Sequence, residues 1–195
     1  MMRTIVIPLK GSPEPKSRFG GTPEFRRALA RAMALDTVEA ALAVAPVIAV
    51  TTEDLALDVA ELGAVVIPDA GQGLNAAIEF GLARVSGGSA VLLGDLPGLD
   101  PRELREALES AVAPLSLVAD ADGSGTVLVV AQPGIQHRVA FGPDSRGAHL
   151  ANGYVELLDP WPTLRRDIDR AEHLHGLTLG PRTAALLQLT PPFAP

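Results

Sequence analysis

Short apolar runs alternate along the chain with segments whose apolar residues recur every three or four positions. The first run is TIVIPL at 4–9, and two further runs are VIAVT at 47–51 and AVVIP at 64–68. Runs of this length that are rich in β-branched residues are typical of buried strands. The helical patterns between them predict connections that pack on the faces of the sheet. The first half of the chain therefore predicts an α/β fold.

Three helical patterns connect these runs and a fourth run, SAVLLGDLP, and a fourth helical pattern follows it. The first helix is predicted to begin with Thr22 as its cap and Pro23 at its first position, where these residue types favour a helix start. The last of the four helices is predicted to pack on the sheet through Leu104, Leu108 and Val112. The patterns thus predict helices that pack on the faces of the sheet.

After residue 115 the pattern changes to the shorter runs SLVAD and TVLVVA, with glycine-rich joints and no full helix between them. This spacing predicts antiparallel or mixed strand pairing in the second half of the sheet. No segment has the composition of a linker. We therefore predict a single domain over residues 1–190, followed by a short C-terminal tail over 191–195.

Composition and charge narrow the function classes. The formal net charge is -7, so we expect no attraction of the whole chain to nucleic acid or an anionic bilayer. The absence of cysteine excludes disulfides, thiolate nucleophiles and cysteine-ligated zinc. Pro46 interrupts the longest apolar run, and the N-terminal apolar stretch is too short for a signal-peptide core. We expect a cytoplasmic protein, and no pattern indicates its oligomeric state.

The segment VLLGDLPGL at 91–99 carries an acid out of a predicted buried strand. In open α/β sheets, ligands bind outside the carboxyl ends of the strands. Pro97 lacks the N–H that a strand ladder requires, so the strand should stop and leave Asp95 at this edge. Asp95 is therefore a candidate ligand-binding acid. The alternative is a turn-forming acid that only caps the chain before the next helix.

Three cations, Lys10, Lys16 and Arg18, occur in the loop that follows the first predicted strand. The loop is rich in glycine, proline and serine, so it cannot bury these charges, and it predicts a local anion site in an acidic protein. The glycine and lysine spacing of a Walker A loop is absent. The alternative is an ordinary solvated surface loop.

Two Asp-x-Asp triplets occur, at 120–122 and 167–169. Acids at the first and third positions can chelate one hard cation such as Mg²⁺. We assign Asp167 as the metal candidate and Asp169 as the N-cap of the helical pattern that follows. The roles of Asp120 and Asp122 stay open, since DADG is also a common turn sequence.

Taken together, the motifs resemble a known family over nearly the whole chain. The segments that carry the resemblance are PLK and KSRF, TTEDLAL, GQGLNAAIE, VLLGDLPGL, DADGSGTVLVV, FGPDSRGAHL and RRDIDRAEHL. They are similar to those of the phosphoenolpyruvate or 2-phospho-L-lactate guanylyltransferases of coenzyme F-420 (deazaflavin) biosynthesis. The GSGT and FGPDSRGAH segments are the most specific, whereas DLP and the Asp triplets are shared with many nucleotidyltransferases.

The resemblance implies a nucleotide-diphospho-sugar transferase-like α/β fold, with a mixed sheet and helices on both faces. It implies that Asp95 and Asp167 bind Mg²⁺ and that the segment around Asn75 faces the nucleoside of GTP. It also implies that the triphosphate is held by the three cations of the first loop. On this basis the catalytic residues are Lys10, Lys16, Arg18 and Asp95.

The resemblance also implies that the phosphorylated three-carbon acid is held by Thr126, Gly142 and Ser145. The family often has a second threonine or an asparagine after the Gly-Thr pair, and Val127 stands there instead. Arg146 is a candidate for the acceptor carboxylate, because a guanidinium can bind a carboxylate through two hydrogen bonds. A surface ion pair is the alternative for Arg146.

The implied reaction joins the GMP moiety of GTP to phosphoenolpyruvate or 2-phospho-L-lactate, with phosphoenolpyruvate favoured, and releases pyrophosphate. The second pKa of a phosphate monoester is about 6, so the acceptor phosphate needs no protein base. We therefore predict that His149 has a packing or hydrogen-bonding role. The alternatives are a metal-dependent nucleotide-sugar glycosyltransferase and a non-catalytic nucleotide-binding module.

Overall fold

A computed structural model of the protein describes residues 3–9 and 19–189. The described chain forms a seven-stranded mixed sheet with six α-helices. The strands are β1 (Arg3–Leu9), β2 (Val47–Thr51), β3 (Val65–Pro68), β4 (Gly88–Leu92), β5 (Leu115–Ala119), β6 (Thr126–Ala131) and β7 (Val155–Glu156). The helices are α1 (Pro23–Leu42), α2 (Glu53–Glu61), α3 (Leu74–Leu82), α4 (Pro101–Ser110), α5 (Ser145–Ala151) and α6 (Pro181–Leu189), with a short 3-10 helix at Ala171–Leu174.

The strand order is β3-β2-β1-β4-β6-β5-β7. Strands β1 to β4 are parallel, as the crossover helices require, and β6 pairs antiparallel with both β4 and β5. The predicted mixed pairing in the second half is thus confirmed. Antiparallel pairing places the start of β6 beside the carboxyl end of β4, where the amide of Leu93 donates to Val127 O at 3.0 Å.

The central strands of the sheet are buried on both faces. One core combines residues of α1, α2 and α4 with one face of the strands, and a second core combines α3, Phe141 and Tyr154 with the opposite face. Alternation within β1 shows the division, since Ile5 and Ile7 belong to the first core and Val6 belongs to the second. The predicted fold class, a single-domain α/β sheet with helices on both faces, is confirmed.

Helix α1 begins as predicted, because the Thr22 hydroxyl accepts a hydrogen bond from the amide of Phe25 at 3.2 Å. The prediction for α4 was wrong at its end. The helix stops at Ser110, Ala111 is fully buried in its place, and Val112 is 82% exposed. Ala111 already leaves the helical conformation, with φ -76° and ψ 76°, so the helix ends before it reaches Val112.

The described residues contain no helix that is both long and apolar enough to cross a bilayer. The predicted tail over 191–195 lies outside the described residues.

Candidate functional site

Three carboxylates converge beyond the carboxyl end of β4. One oxygen from each of Asp95, Asp167 and Asp169 lies within 4.8 Å of the other two. Asp95 and Asp167 are partly buried, and Asp169 is exposed. Oxygen ligands at this spacing suit a hard divalent cation, which binds one or two protein carboxylates and completes its shell with water and phosphate oxygens.

Asp95 is held in place by its backbone neighbours. The amide of Leu96 donates to the buried Thr37 hydroxyl at 3.0 Å, and that hydroxyl donates to Met33 O one helical turn earlier in α1. The carbonyl of Pro97 accepts from the amide of Gly180 at 2.6 Å. Strand β4 itself ends at Leu92, earlier than Pro97 alone would require. The loop that carries Asp95 is therefore fixed by α1 and by the segment before α6.

The DID segment reaches Asp95 because its middle residue is anchored. Ile168 is fully buried in a cluster with Phe19 and with Phe25 and other apolar side chains of α1, and its amide donates to Asp95 O at 3.1 Å. Burial of Ile168 places the acids on either side of it together near Asp95. Four hydrogen bonds from the Arg165 guanidinium, one each to the carbonyls of Ala119 and Leu157 and two to that of Asp159, tie the segment before Asp167 to the end of β5 and to the residues after β7.

The expectation that Asp169 is a helix N-cap was wrong. The helix that follows is a 3-10 turn whose N-cap is Arg170, and its first turn receives no side-chain cap. The carboxylate of Asp169 instead joins Asp95 and Asp167. The Asp-x-Asp spacing itself was the signal for this arrangement, because a buried middle residue leaves both acids on the other side of the chain.

Thr126, Gly142 and Ser145 belong to elements that meet at the same edge of the sheet. Thr126 opens β6, and the amide of Arg146 donates to Ser124 O at 3.2 Å, which joins the turn before β6 to α5. Gly142 has φ +142°, a conformation that residues with a side chain rarely adopt, and its carbonyl accepts from the amide of Ser145 at 3.2 Å. The loop over 141–145 is thereby closed on itself at the start of α5.

His149 lies beneath this loop. It is fully buried, its Nδ1 is 3.0 Å from Thr126 Oγ1, and its Nε2 is 3.0 Å from the amide nitrogen of Ala140. Its ring packs edge-on against Phe141 and Tyr154, with centroid distances of 4.8 and 5.1 Å. Burial lowers the pKa of His149, so the ring is neutral near pH 7. The predicted packing and hydrogen-bonding role agrees with this environment.

Asn75 links the segment predicted to face the nucleoside to the segment predicted to hold the acceptor. Its Nδ2 donates to Phe141 O at 2.9 Å, and its Oδ1 accepts from the amide of Phe141 at 2.9 Å. The side-chain amide of Asn75 therefore binds both backbone polar groups of Phe141, as a neighbouring strand would. The contact of this segment with the nucleoside stays a prediction.

Arg146 forms a two-pronged ion pair with Glu156. Its Nε and Nη2 donate to the carboxylate at 3.0 and 2.7 Å, and Glu156 raises the pKa of Arg146. The ion pair that the sequence left open as the alternative is thus present. A contact of Arg146 with the acceptor carboxylate stays a prediction.

Asp120, whose role the sequence left open, organises the turn before β6. Its carboxylate accepts from the amides of Ser124 at 3.0 Å and Gly125 at 2.8 Å. A Cβ at Gly125 would lie 2.3 Å from Asp120 Oδ2, so glycine is required for this close approach. Asp120 therefore positions the backbone that leads into Thr126.

Lys10, Lys16 and Arg18 lie outside the described residues, so their predicted role toward phosphate stays a prediction. The last described residue before them, Leu9, ends β1 at the same edge of the sheet as Thr51 of β2 and Pro68 of β3.

A second histidine, His137, lies at the opposite edge, beside the start of β4. Its Nε2 and Nδ1 are each 3.0 Å from a hydroxyl, those of Ser89 and Tyr154 respectively. Ser89 and His137 line a cavity of about 490 Å³ between α3 and the 134–139 loop. Burial lowers the pKa of His137 to about 4. The ring is therefore mostly neutral in the folded protein above about pH 4.

We expect the free energy of unfolding to fall as pH is lowered from about 6.5, the ordinary histidine value, toward the folded-state pKa of His137 of about 4. In this window the unfolded chain binds a proton that the folded chain does not, so acid favours unfolding, and the loss levels off below the lower value. Urea denaturation at a series of pH values measures the effect. The His137→Gln protein should show a shallower dependence over the same window, and equal slopes for the two proteins would contradict the assignment.

Known proteins resemble this chain in both sequence and structure. Residues 2–154 match the family described as guanylyl transferase CofC like. A protein named phosphoenolpyruvate guanylyltransferase from Salinispora arenicola is 43% identical over 98% of this chain and 96% of its own length. Proteins of the same name from Thermomonospora curvata and Geodermatophilus obscurus are 43% and 44% identical, over 98% and 94% of this chain and 91% and 93% of their own lengths.

Among solved structures, a Desulfovibrio desulfuricans protein provisionally assigned to the nucleotide-diphospho-sugar transferases superposes with a TM-score of 0.63, at 17% identity over 97% of this chain and 95% of that one. A protein from Aquifex aeolicus gives a TM-score of 0.60, at 20% identity over 86% of this chain and 93% of that one. These likenesses confirm the predicted nucleotide-diphospho-sugar transferase-like fold. The family match covers more than half of the chain and the sequence relatives are similar over almost all of it, so the chain belongs to the CofC-like guanylyl transferase family.

Proposed function

We propose that the protein joins the GMP moiety of GTP to phosphoenolpyruvate, or to 2-phospho-L-lactate, and releases pyrophosphate. The observation that carries this proposal is its similarity, over almost its whole length, to proteins named phosphoenolpyruvate guanylyltransferase. The motif resemblance supports a role in coenzyme F-420 biosynthesis, and an early step of it is part of this proposal. The cytoplasmic location expected from the sequence is part of this proposal.

In the proposed reaction, a phosphate oxygen of the acceptor attacks the α-phosphorus of GTP. The new bond joins this oxygen to the α-phosphorus, while the bond from the α-phosphorus to the bridging oxygen of the β-phosphate breaks and its electron pair leaves with pyrophosphate. The acceptor phosphate is mostly dianionic at neutral pH, so no side chain must remove a proton from it. Catalysis then rests on positioning and on neutralising charge.

Mg²⁺ is the cofactor that the family resemblance implies, and Asp95, Asp167 and Asp169 would hold it. Three carboxylates with oxygens within 4.8 Å of one another have the ligand chemistry that this cation prefers. When bound, the cation supplies positive charge to the triphosphate. Asp169 enters this set because of the geometry, whereas the motif resemblance alone suggested Asp95 and Asp167.

The binding of GTP and its partner acid is proposed to divide between two groups of residues. Lys10, Lys16 and Arg18 would bind the triphosphate, and the segment around Asn75 would face the nucleoside. Gly142 and Ser145 would offer backbone and hydroxyl donors to the acid, together with Thr126. The double hydrogen bond between Asn75 and Phe141 would keep the two groups in register.

Incubation of the purified protein with GTP, Mg²⁺ and one acid at a time tests the proposal. Pyrophosphate should be released with phosphoenolpyruvate, and a product containing both GMP and the acid should appear by mass spectrometry. Parallel reactions with 2-phospho-L-lactate and 3-phosphoglycerate rank the acceptors.

The two alternative functions give different results in the same assay. A glycosyltransferase would leave GTP intact and would hydrolyse or transfer from a nucleotide sugar. A nucleotide-binding module would bind GTP without turnover with any acceptor, and either result would overturn the proposed function.

A further inference from the structure

The hydrogen bonds of His149 determine which of its nitrogens carries the proton. The amide N–H of Ala140 can only donate, and it lies 3.0 Å from Nε2. Nε2 must therefore be the unprotonated, accepting nitrogen. In a neutral imidazole the single proton then lies on Nδ1, and Nδ1 is 3.0 Å from Thr126 Oγ1. His149 is thus the donor toward Thr126 Oγ1, and the Ser145 carbonyl is a second acceptor of a hydrogen bond from this ring.

This direction has a consequence for the Thr126 hydroxyl. A hydroxyl has one proton to donate and two lone pairs to accept with. One lone pair of Thr126 receives the proton of His149, so the hydroxyl proton must find a different partner. Within residues 3–9 and 19–189, His149 is the hydrogen-bond partner found for Oγ1. Thr126 is 2% exposed, so a ligand that receives the hydroxyl proton must come within hydrogen-bond distance of a nearly buried oxygen.

The position of Thr126 indicates which ligand would receive that proton. Thr126 is the first residue of β6, where the adjoining Val127 carbonyl bonds to Leu93, two residues before Asp95. Through His149 it is also tied to α5, whose first residue is Ser145. Thr126 therefore lies between the carboxylate cluster and the loop proposed to hold the acceptor. Both groups of the acceptor, a phosphate and a carboxylate, offer anionic oxygens that accept hydrogen bonds.

We propose that His149 is a positioning residue that holds the Thr126 hydroxyl as an obligate donor to an anionic oxygen of the phosphorylated acid. This inference rests on the proposed function. The histidine does not touch the acid and takes no proton in the reaction. Its burial at 0% exposure, between Phe141 and Tyr154, keeps the ring from turning over and exchanging the roles of its two nitrogens. The hydrogen bonds from Ala140 to His149 and from His149 to Thr126 thereby favour an anionic ligand atom beside the Thr126 hydroxyl.

Two substitutions of His149 distinguish the effect of its hydrogen bond to Thr126 from the effect of its packing. An asparagine places an amide near the position of Nδ1, so His149→Asn can still donate to Thr126 but loses the bond from Ala140. A glutamine reaches the position of Nε2, so His149→Gln can still accept from Ala140 but loses the donor to Thr126. Each variant keeps one of the two hydrogen bonds, and both replace the buried ring by an acyclic side chain. The free energy of unfolding should therefore fall by similar amounts in the two variants.

Loss of a hydrogen bond to a charged group corresponds to roughly a tenfold or larger change in affinity. We therefore expect His149→Gln to raise the KM for phosphoenolpyruvate by about tenfold, and His149→Asn to raise it much less. The KM for GTP should change little in both. Thr126→Val should resemble His149→Gln, and the double variant Thr126→Val/His149→Gln should show no further increase over Thr126→Val, because the two residues act through one hydrogen bond.

Tyr154→Phe is the matched packing control. It keeps the aromatic contact with His149 and removes a hydroxyl that bonds His137 and the Arg138 amide instead. This variant should lower the melting temperature and leave the KM for phosphoenolpyruvate near that of the wild type. A tautomer measurement by ¹⁵N NMR of the imidazole should report the proton on Nδ1 in the wild-type protein.

The inference is overturned if His149→Asn and His149→Gln raise the KM for phosphoenolpyruvate equally, if the effect of His149→Gln persists in the Thr126→Val background, or if NMR places the proton on Nε2. These outcomes leave the proposed function intact as long as the wild-type protein releases pyrophosphate. If the wild-type protein turns over GTP with none of the acids, the proposed function fails, and the inference fails with it.

Discussion

The Asp95→Asn protein should release pyrophosphate from GTP and phosphoenolpyruvate about a thousandfold more slowly than the wild type, which corresponds to about 4 kcal/mol of lost transition-state stabilisation. Asparagine keeps the shape of the side chain and removes its negative charge. The proposed cation would lose a ligand at the point where Asp167 and Asp169 converge on Asp95, and a metal site contributes several kcal/mol to reactions of this kind. Initial rates at saturating Mg²⁺ and melting temperatures measure the two effects.

Asp100→Asn is the matched control for this substitution. Asp100 lies in the same connection, where it caps α4 by accepting from the amide of Arg102 at 2.8 Å, and asparagine caps helices equally well. This variant should keep its activity. Asp169→Asn should lower the rate as Asp95→Asn does, since its carboxylate belongs to the same cluster. Near-normal turnover by Asp95→Asn with a large loss of stability would restore the turn-cap alternative for Asp95.

The Asp36→Ala protein should lose about 3 kcal/mol of unfolding free energy, because removing a buried acceptor leaves its donors without a partner at roughly 1–3 kcal/mol each. The Asp36 side chain is 1% exposed. Its carboxylate accepts from the amides of Arg182 at 3.2 Å and Thr183 at 2.8 Å, and so caps the first turn of α6 from within α1. In a domain of this size the melting temperature should fall by about 6–12 °C, which calorimetry or circular dichroism would record.

Glu39→Ala controls for the charge near α6. Glu39 also pairs with Arg182, but its side chain is 52% exposed, and exposed pairs contribute about 0–1 kcal/mol. Asp36→Asn should fall between the two variants, since an amide oxygen still accepts one of the helix amides. If Asp36→Ala proves no less stable than Glu39→Ala, the tertiary cap contributes nothing and α6 is held by its apolar contacts alone.

Residues next to Asp36 in the chain or in space also hold the loop that carries Asp95. Thr37, the next residue of α1, bonds the amide of Leu96, while Gly180, just before α6, bonds the carbonyl of Pro97. A Cβ at Gly180 would lie 2.4 Å from Asp36 Cγ, so the helix start approaches α1 as closely as glycine permits. The loop that carries Asp95 is thus held between two elements that Asp36 joins.

Local patterns determined the first half of the fold. The strand over 47–51 was predicted at its observed bounds, and the Thr22 and Pro23 start of α1 was predicted correctly. These features depend on residues within one or two turns of each other, because side-chain period and helix capping are short-range properties. The position of Asp95 at the sheet edge also followed from local sequence, since parallel strands must leave their carboxyl ends on the same side.

The roles of the other polar residues in and around the site were decided by contacts between residues far apart in the chain. Asp169 read as a helix cap in sequence, and burial of Ile168 against α1 turned it toward Asp95 instead. The sequence left Asp120 without a role, and it gave no sign that Asp36 caps a helix 146 residues later. Nor could it show that Ala140 and Thr126 fix the proton of His149. A carboxylate or an imidazole can accept or donate to many partners, so its role is set by which backbone groups the folded chain brings within about 3 Å.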